Sequence, residues 1–141
     1  AKDLLLKGHP MKPNVMLIRT SLLAIVLMAC HYTDDVLHEG GLAVNPAGAL
    51  ITILILFVWL YGTLVLGERR SGHIIMLVGS LLATGIPVIH VLLARTVLTN
   101  EAARARGDYF FVWTLLALGV TGLFGLTLAA RGLASMRRKS S

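Results

Sequence analysis

The sequence predicts an all-α integral membrane protein with four transmembrane helices in an up-down antiparallel bundle and both termini cytoplasmic. Hydrophobic residues make up 56% of the 141 residues. A hydrocarbon core of about 30 Å needs about twenty apolar residues at about 1.5 Å rise each. The runs that meet this length are 15–33, 47–66, 74–94 and 109–130. We interpret residues 1–141 as a single membrane domain that ends in a basic tail, 131–141.

The first run contains one charge, Arg19, about one turn inside its end. A guanidinium there can reach the head groups while its apolar stem stays in lipid, so Arg19 is compatible with a transmembrane helix over this run. The run is longer than the apolar part of a signal peptide, and we expect it to be kept as a span. The single cysteine, Cys30, excludes an intramolecular disulfide and a Cys-x-x-Cys motif. We interpret it as a core residue of this span.

The second run has a clear start signal, because Asn45 can cap a helix whose first residue is Pro46. Its residues 51–60 are bulky and apolar almost all round, which suits contact with lipid or with a partner protein. Trp59 and Tyr61 lie towards its cytoplasmic end and are typical of an interfacial aromatic belt.

Gly67 and Gly72 bracket a tight turn before the third run. Helices in lipid associate through small residues that let their backbones approach. The third and fourth runs carry such residues at helical spacing, at Gly79, Ser80, Ala83, Thr84, Gly119, Gly122 and Gly125. This pattern predicts packing seams, either within one chain or with another subunit.

Basic residues in short loops predict the orientation, since they stay on the cytoplasmic side. Ten of them belong to the side that holds both termini: Lys2, Lys7, Lys12, Arg19, Arg69, Arg70, Arg131, Arg137, Arg138 and Lys139. The other side has only Arg95, Arg104 and Arg106. Both termini are therefore predicted to be cytoplasmic, and we expect a multi-pass protein of the bacterial cytoplasmic (inner) membrane. The net charge of +6 fits contact with anionic membrane lipid, and no motif indicates a nucleic-acid partner.

A polar stripe lies at the end of the first span. It starts at His31 and continues three, four and seven residues later with Asp34, Asp35 and His38. If the helix continues past the membrane surface, these side chains share one face. Imidazole and carboxylate are the ligands that zinc, iron or manganese prefer. His90 lies at the matching depth of the third span, about 24 Å from the cytoplasmic boundary. These five residues are the predicted ligands of a divalent transition metal at the extracytoplasmic side. The same acids are also typical of a solvated loop.

Two other interpretations remain open. His31 and His90 can be the axial ligands of haem b in an electron-transfer subunit, with the glycines of the fourth span making room for the ring. Alternatively, the bundle binds no cofactor and serves as an accessory or assembly subunit. In each case we expect a protein partner or a homo-oligomer. His9 and His73 are interpreted as incidental.

Enzyme activity is disfavoured by the motifs. The chain has no Gly-x-Ser-x-Gly elbow, no Walker loop and no dinucleotide fingerprint. The pair Asp34 and Asp35 resembles a magnesium-binding motif, but the second acidic motif that such chemistry needs is missing.

Overall fold

A computed structural model describes residues 13–39, 46–97 and 109–139, with side chains throughout except at 13, 38–39, 90–97, 109–111 and 139. The described chain is all-helical: α1 is Pro13–Glu39, α2 Pro46–Leu64, α3 Arg70–Val97 and α4 Tyr109–Lys139. All four helices contain a segment long and apolar enough to cross a membrane. This is the architecture expected of an integral multi-pass membrane protein.

Three helices extend beyond the predicted apolar runs. α1 continues through Glu39, α3 already begins at Arg70, and α4 continues to Lys139, so most of the basic tail is helical. Helix propagation needs no hydrophobicity once the preceding turns exist, and Arg, Lys, Ala, Leu and Met all favour helix.

The second helix begins at Pro46 as predicted, while its predicted cap, Asn45, lies outside the described residues. It ends at Leu64, two residues before the predicted end of the run. A turn takes over, in which the Val65 N–H donates to Tyr61 O (2.9 Å) and the Arg69 N–H donates to Leu66 O (2.8 Å).

All four helices contribute to the core. One cluster joins Ala24 and Met28 of α1 to Trp59, Ala83 and Leu118, which lie on α2, α3 and α4. A second cluster joins Leu17, Met76 and Ala129 of α1, α3 and α4. α2 takes no part in the second cluster, and most of its bulky apolar side chains are exposed. In lipid, these exposed side chains face acyl chains rather than water.

The predicted seam of small residues is confirmed between α3 and α4, which have the most extensive contacts in the described chain. A β-carbon on Gly119 would lie 3.0 Å from Pro87 Cγ, and one on Gly122 would lie 2.8 Å from the backbone nitrogen of Thr84. On Gly125 it would lie 2.5 Å from the Ser80 hydroxyl oxygen. The glycines thus let the two backbones approach where any larger residue would separate them.

Trp59 is not the interfacial belt residue that the sequence predicted, because it is 2% exposed and lies inside the bundle. Its indole packs on Gly79 of α3, where a β-carbon would overlap the ring. Tyr61, predicted for the same belt, is exposed.

A buried polar triad connects Trp59 to α1. The indole N–H donates to Ser21 Oγ (2.8 Å), and the Thr63 hydroxyl donates to Trp59 O (2.8 Å). Because Thr63 has already used its one proton, the 2.8 Å contact between the two hydroxyls requires Ser21 to donate to Thr63. Every proton of the triad therefore has an acceptor. This matters because the hydrocarbon region supplies no water to replace a missing partner.

Candidate functional site

His31 is buried within the bundle, with 3% of its side chain exposed. Ile18, earlier on α1, lies against Gly67 in the turn between α2 and α3. His31 comes thirteen residues later on the same helix, which places it about 20 Å along α1 from that turn. The imidazole therefore lies in the half of the bundle that faces away from the turn with Arg69.

The nearest identified partner of the imidazole is Asp35, one helical turn further on. His31 Nε2 lies 3.6 Å from Asp35 Oδ2, and the Asp35 side chain is 27% exposed. This distance is long for a hydrogen bond. The pair thus joins a buried imidazole to a carboxylate that is partly exposed.

Asp34 diverges from this pair, although the stripe prediction put it on the same face. It lies on the edge of a shallow surface groove of about 360 Å³ together with Cys30 and Leu37. One residue corresponds to a turn of about 100° along a helix, which separates Asp34 from Asp35. Cys30 is partly exposed in that groove, so its predicted place in the core is wrong.

The remaining predicted ligands are His38 and His90. Their backbones belong to α1 and α3, and their side chains lie outside the described residues. Among the side chains that the structure describes, no three of the types His, Cys, Asp and Glu converge on one point. His31 and Asp35 are thus the pair of predicted ligands that the described structure brings close together.

The separation of the pair suits a shared ion. Zinc binds imidazole nitrogen and carboxylate oxygen at about 2.1 Å each, and two such donors at a tetrahedral angle are about 3.4 Å apart. The observed 3.6 Å is close to that value. The same arrangement also lets the carboxylate orient the imidazole as an outer partner of a metal ligand. Both uses need further ligands from outside this pair.

The haem interpretation relied on open space beside the glycines of the fourth span, but this space is filled by other side chains. Gly119, Gly122 and Gly125 all lie against side chains of α3. The space that they create is therefore used for helix packing rather than left open beside a ring.

His73, interpreted from the sequence as incidental, is fully buried in the first turn of α3. Its Nδ1 lies 3.1 Å from Arg69 O, and its ring packs on Gly132 of α4, where a β-carbon would be 2.8 Å from Nε2. Within the described chain no hydrogen-bond partner is present for Nε2. The signal that identifies this residue is its spacing, since it lies seven residues before Ser80 and continues the seam.

Comparison of the chain with protein families, with curated proteins and with solved structures gives no match.

Proposed function

We propose that the chain forms one up-down membrane domain with both termini in the bacterial cytoplasm. The order of the contacts along neighbouring helices supports this topology. Pro87 of α3 contacts Gly119 of α4, and His73 of α3 contacts Gly132 of α4. Residue numbers therefore decrease along α3 as they increase along α4, so the two helices run antiparallel. The excess of basic residues near the termini supports the orientation.

In this topology the His31 end of α1 is extracytoplasmic. We propose that it binds a divalent transition metal and that the protein acts as a metal-binding membrane subunit. The observation that carries this is the buried imidazole of His31 at 3.6 Å from a carboxylate of Asp35. Ionisable side chains inside membrane spans are costly and are kept mainly where they have a function. His38 and His90 are the proposed additional ligands.

A bare ion is preferred over haem b for two reasons. Asp35 is close enough to His31 to bind a bare ion directly, whereas beside a haem held by two histidines the carboxylate could act only as an outer partner. The fourth-span glycines that would make room for a ring contact α3 instead.

The experiment is elemental analysis by mass spectrometry of the full chain, purified in detergent without chelator or affinity-column metal. We expect near-stoichiometric zinc, iron or manganese that is lost in the His31→Ala/His90→Ala variant. A His73→Gln variant is the matched control, because it removes a buried imidazole at the opposite end and should keep the metal. Iron accompanied by a Soret band would favour haem. Folded, metal-free wild-type protein would refute both kinds of site.

The second candidate is a cofactor-free assembly subunit, and the exposure of α2 favours it. Leu50, Phe57 and Leu64 are each about three-fifths exposed. A groove of about 490 Å³ runs between α2 and α3 with an almost entirely apolar lining that includes Ile55 and Val78. A partner helix would bury this surface through side-chain packing. This candidate predicts that substitutions on α2, rather than at His31, abolish co-purification of a larger complex.

A further inference from the structure

A cavity of about 540 Å³ opens between the first turns of α3 and the last turns of α4. We call it the arginine pocket. Its lining residues are Arg70, Ile74, Leu133, Ala134, Arg137 and Arg138. It lies at the other end of the bundle from His31 and belongs to no part of the proposed metal site.

The arginine pocket has two layers. Ile74 follows Arg70 by one turn of α3, and Leu133 precedes Arg137 by one turn of α4, so the apolar residues lie on the membrane side of the charges. The apolar spans themselves begin at Arg70 and end at Arg138. The guanidinium groups are therefore at the level where lipid head groups start, above a floor that continues into the hydrocarbon region.

The electrostatics of the pocket favour an anion. Three of its lining side chains are permanently cationic, and none of the lining residues that the structure describes is acidic. Glu68 is exposed in the neighbouring turn and does not line the cavity. The partial positive charge of the first-turn amides of α3 is opposed by the partial negative charge of the last-turn carbonyls of α4, so the three guanidinium groups provide the attraction. Guanidinium groups bind phosphate oxygens through paired hydrogen bonds.

We propose that the arginine pocket binds one phospholipid with an anionic head group. The phosphate lies among Arg70, Arg137 and Arg138, and the acyl chains run along Ile74 and Leu133. The apolar floor is the reason for choosing a lipid, since a free phosphate ion gains nothing from it. Basic pockets between helices on the cytoplasmic side are suited to such head groups.

The test is native mass spectrometry of the full chain in neutral detergent, titrated with dioleoyl phosphatidylglycerol and separately with dioleoyl phosphatidylcholine. The pocket variant is Arg70→Gln/Arg137→Gln/Arg138→Gln. The control variant is Arg19→Gln/Arg69→Gln/Arg131→Gln, which removes the same charge from exposed arginines that do not line the cavity. A basic side chain near an anionic surface contributes about 1 kcal/mol, or about fivefold in affinity, so the pocket variant should lose about a hundredfold for phosphatidylglycerol. The control should retain most of the wild-type affinity.

Three results would overturn the proposal. Equal losses in both variants would mean diffuse attraction by net charge, and no loss in the pocket variant would mean that the pocket is not the site. Displacement of the lipid by inorganic phosphate would indicate a site for the free ion. If the triple variant fails to fold, Arg70→Gln and Arg138→Gln singly should each cost about fivefold. Metal content is measured on the same samples, and it should not change with the arginines.

Discussion

The α3–α4 seam predicts opposite effects for the same substitution at two glycines. At Gly122 a new β-carbon would lie 2.7 Å from Thr84 Oγ1, 2.8 Å from Thr84 N and 3.0 Å from Ala83 Cβ. Ordinary contacts to carbon are about 3.5–4.0 Å. The contact with Thr84 N is therefore too short by about 0.7–1.2 Å, and because this atom belongs to the backbone, the helices themselves must move apart.

The expected cost of Gly122→Ala is about 1–3 kcal/mol in unfolding free energy, which is typical of inserting a methyl group into a well-packed interior. Gly85 is the matched control, since it is on α3 beside Thr84 and no described atom outside its own helix neighbourhood lies within 4 Å of its β-carbon position. Gly85→Ala should be neutral or stabilising by up to about 1 kcal/mol through helix propensity.

Both variants are measured by titrating the detergent-solubilised protein with a denaturing detergent and following helix content. We expect the two variants to differ by about 1–4 kcal/mol in unfolding free energy. Equal shifts, or a stabilised Gly122→Ala, would show that the helices are not in van der Waals contact at this glycine.

The remaining predictions concern the buried polar groups and the metal site. Ser21→Ala leaves the Trp59 N–H without its acceptor and should destabilise the chain by about 1–3 kcal/mol. In the Ser21→Ala chain, Trp59→Phe should then cost less unfolding free energy than it does in the wild-type chain. Strict additivity in this double-mutant cycle would argue against the hydrogen bond between Trp59 and Ser21. Gly132→Ala places a methyl group 2.8 Å from Nε2 of His73 and should lower the midpoint of detergent unfolding, an effect that His73→Ala in the same chain should relieve. Asp35→Asn keeps the side-chain shape but removes the charge beside His31, so metal affinity measured by competition with a chelator should fall about 10–100-fold; an unchanged affinity would remove the acid from the site.

The number of helices and the seam could be predicted from the sequence because both signals are local. An apolar run of spanning length is visible without knowing its neighbours, and Gly119, Gly122 and Gly125 are recognisable as small wherever they pack. The start of α2 at Pro46 follows from the same kind of local rule.

Which face of each helix meets another helix could not be predicted. By residue type and position, Trp59 is typical of a membrane interface. It is buried instead, because Gly79 leaves room for the indole and the Ser21 hydroxyl accepts its N–H. Cys30 was expected in the core and is partly exposed, whereas His73 was expected to be incidental and is fully buried. The reason is the same, since burial inside an apolar bundle depends on helix rotation rather than on hydropathy. At the site, spacing predicted the proximity of His31 and Asp35, but it did not separate Asp34 from them.

Metal binding at His31 and Asp35 can be tested by titrating the chelator-treated full chain with cobalt(II) and following the visible absorption of the bound ion. We expect saturation at one ion per chain with the intense bands of a low-symmetry site. These bands should be abolished by His31→Ala, weakened by Asp35→Asn and unchanged by His73→Gln. Folded wild-type protein without these bands, or equal bands in all four proteins, would contradict a metal site built on His31 and Asp35.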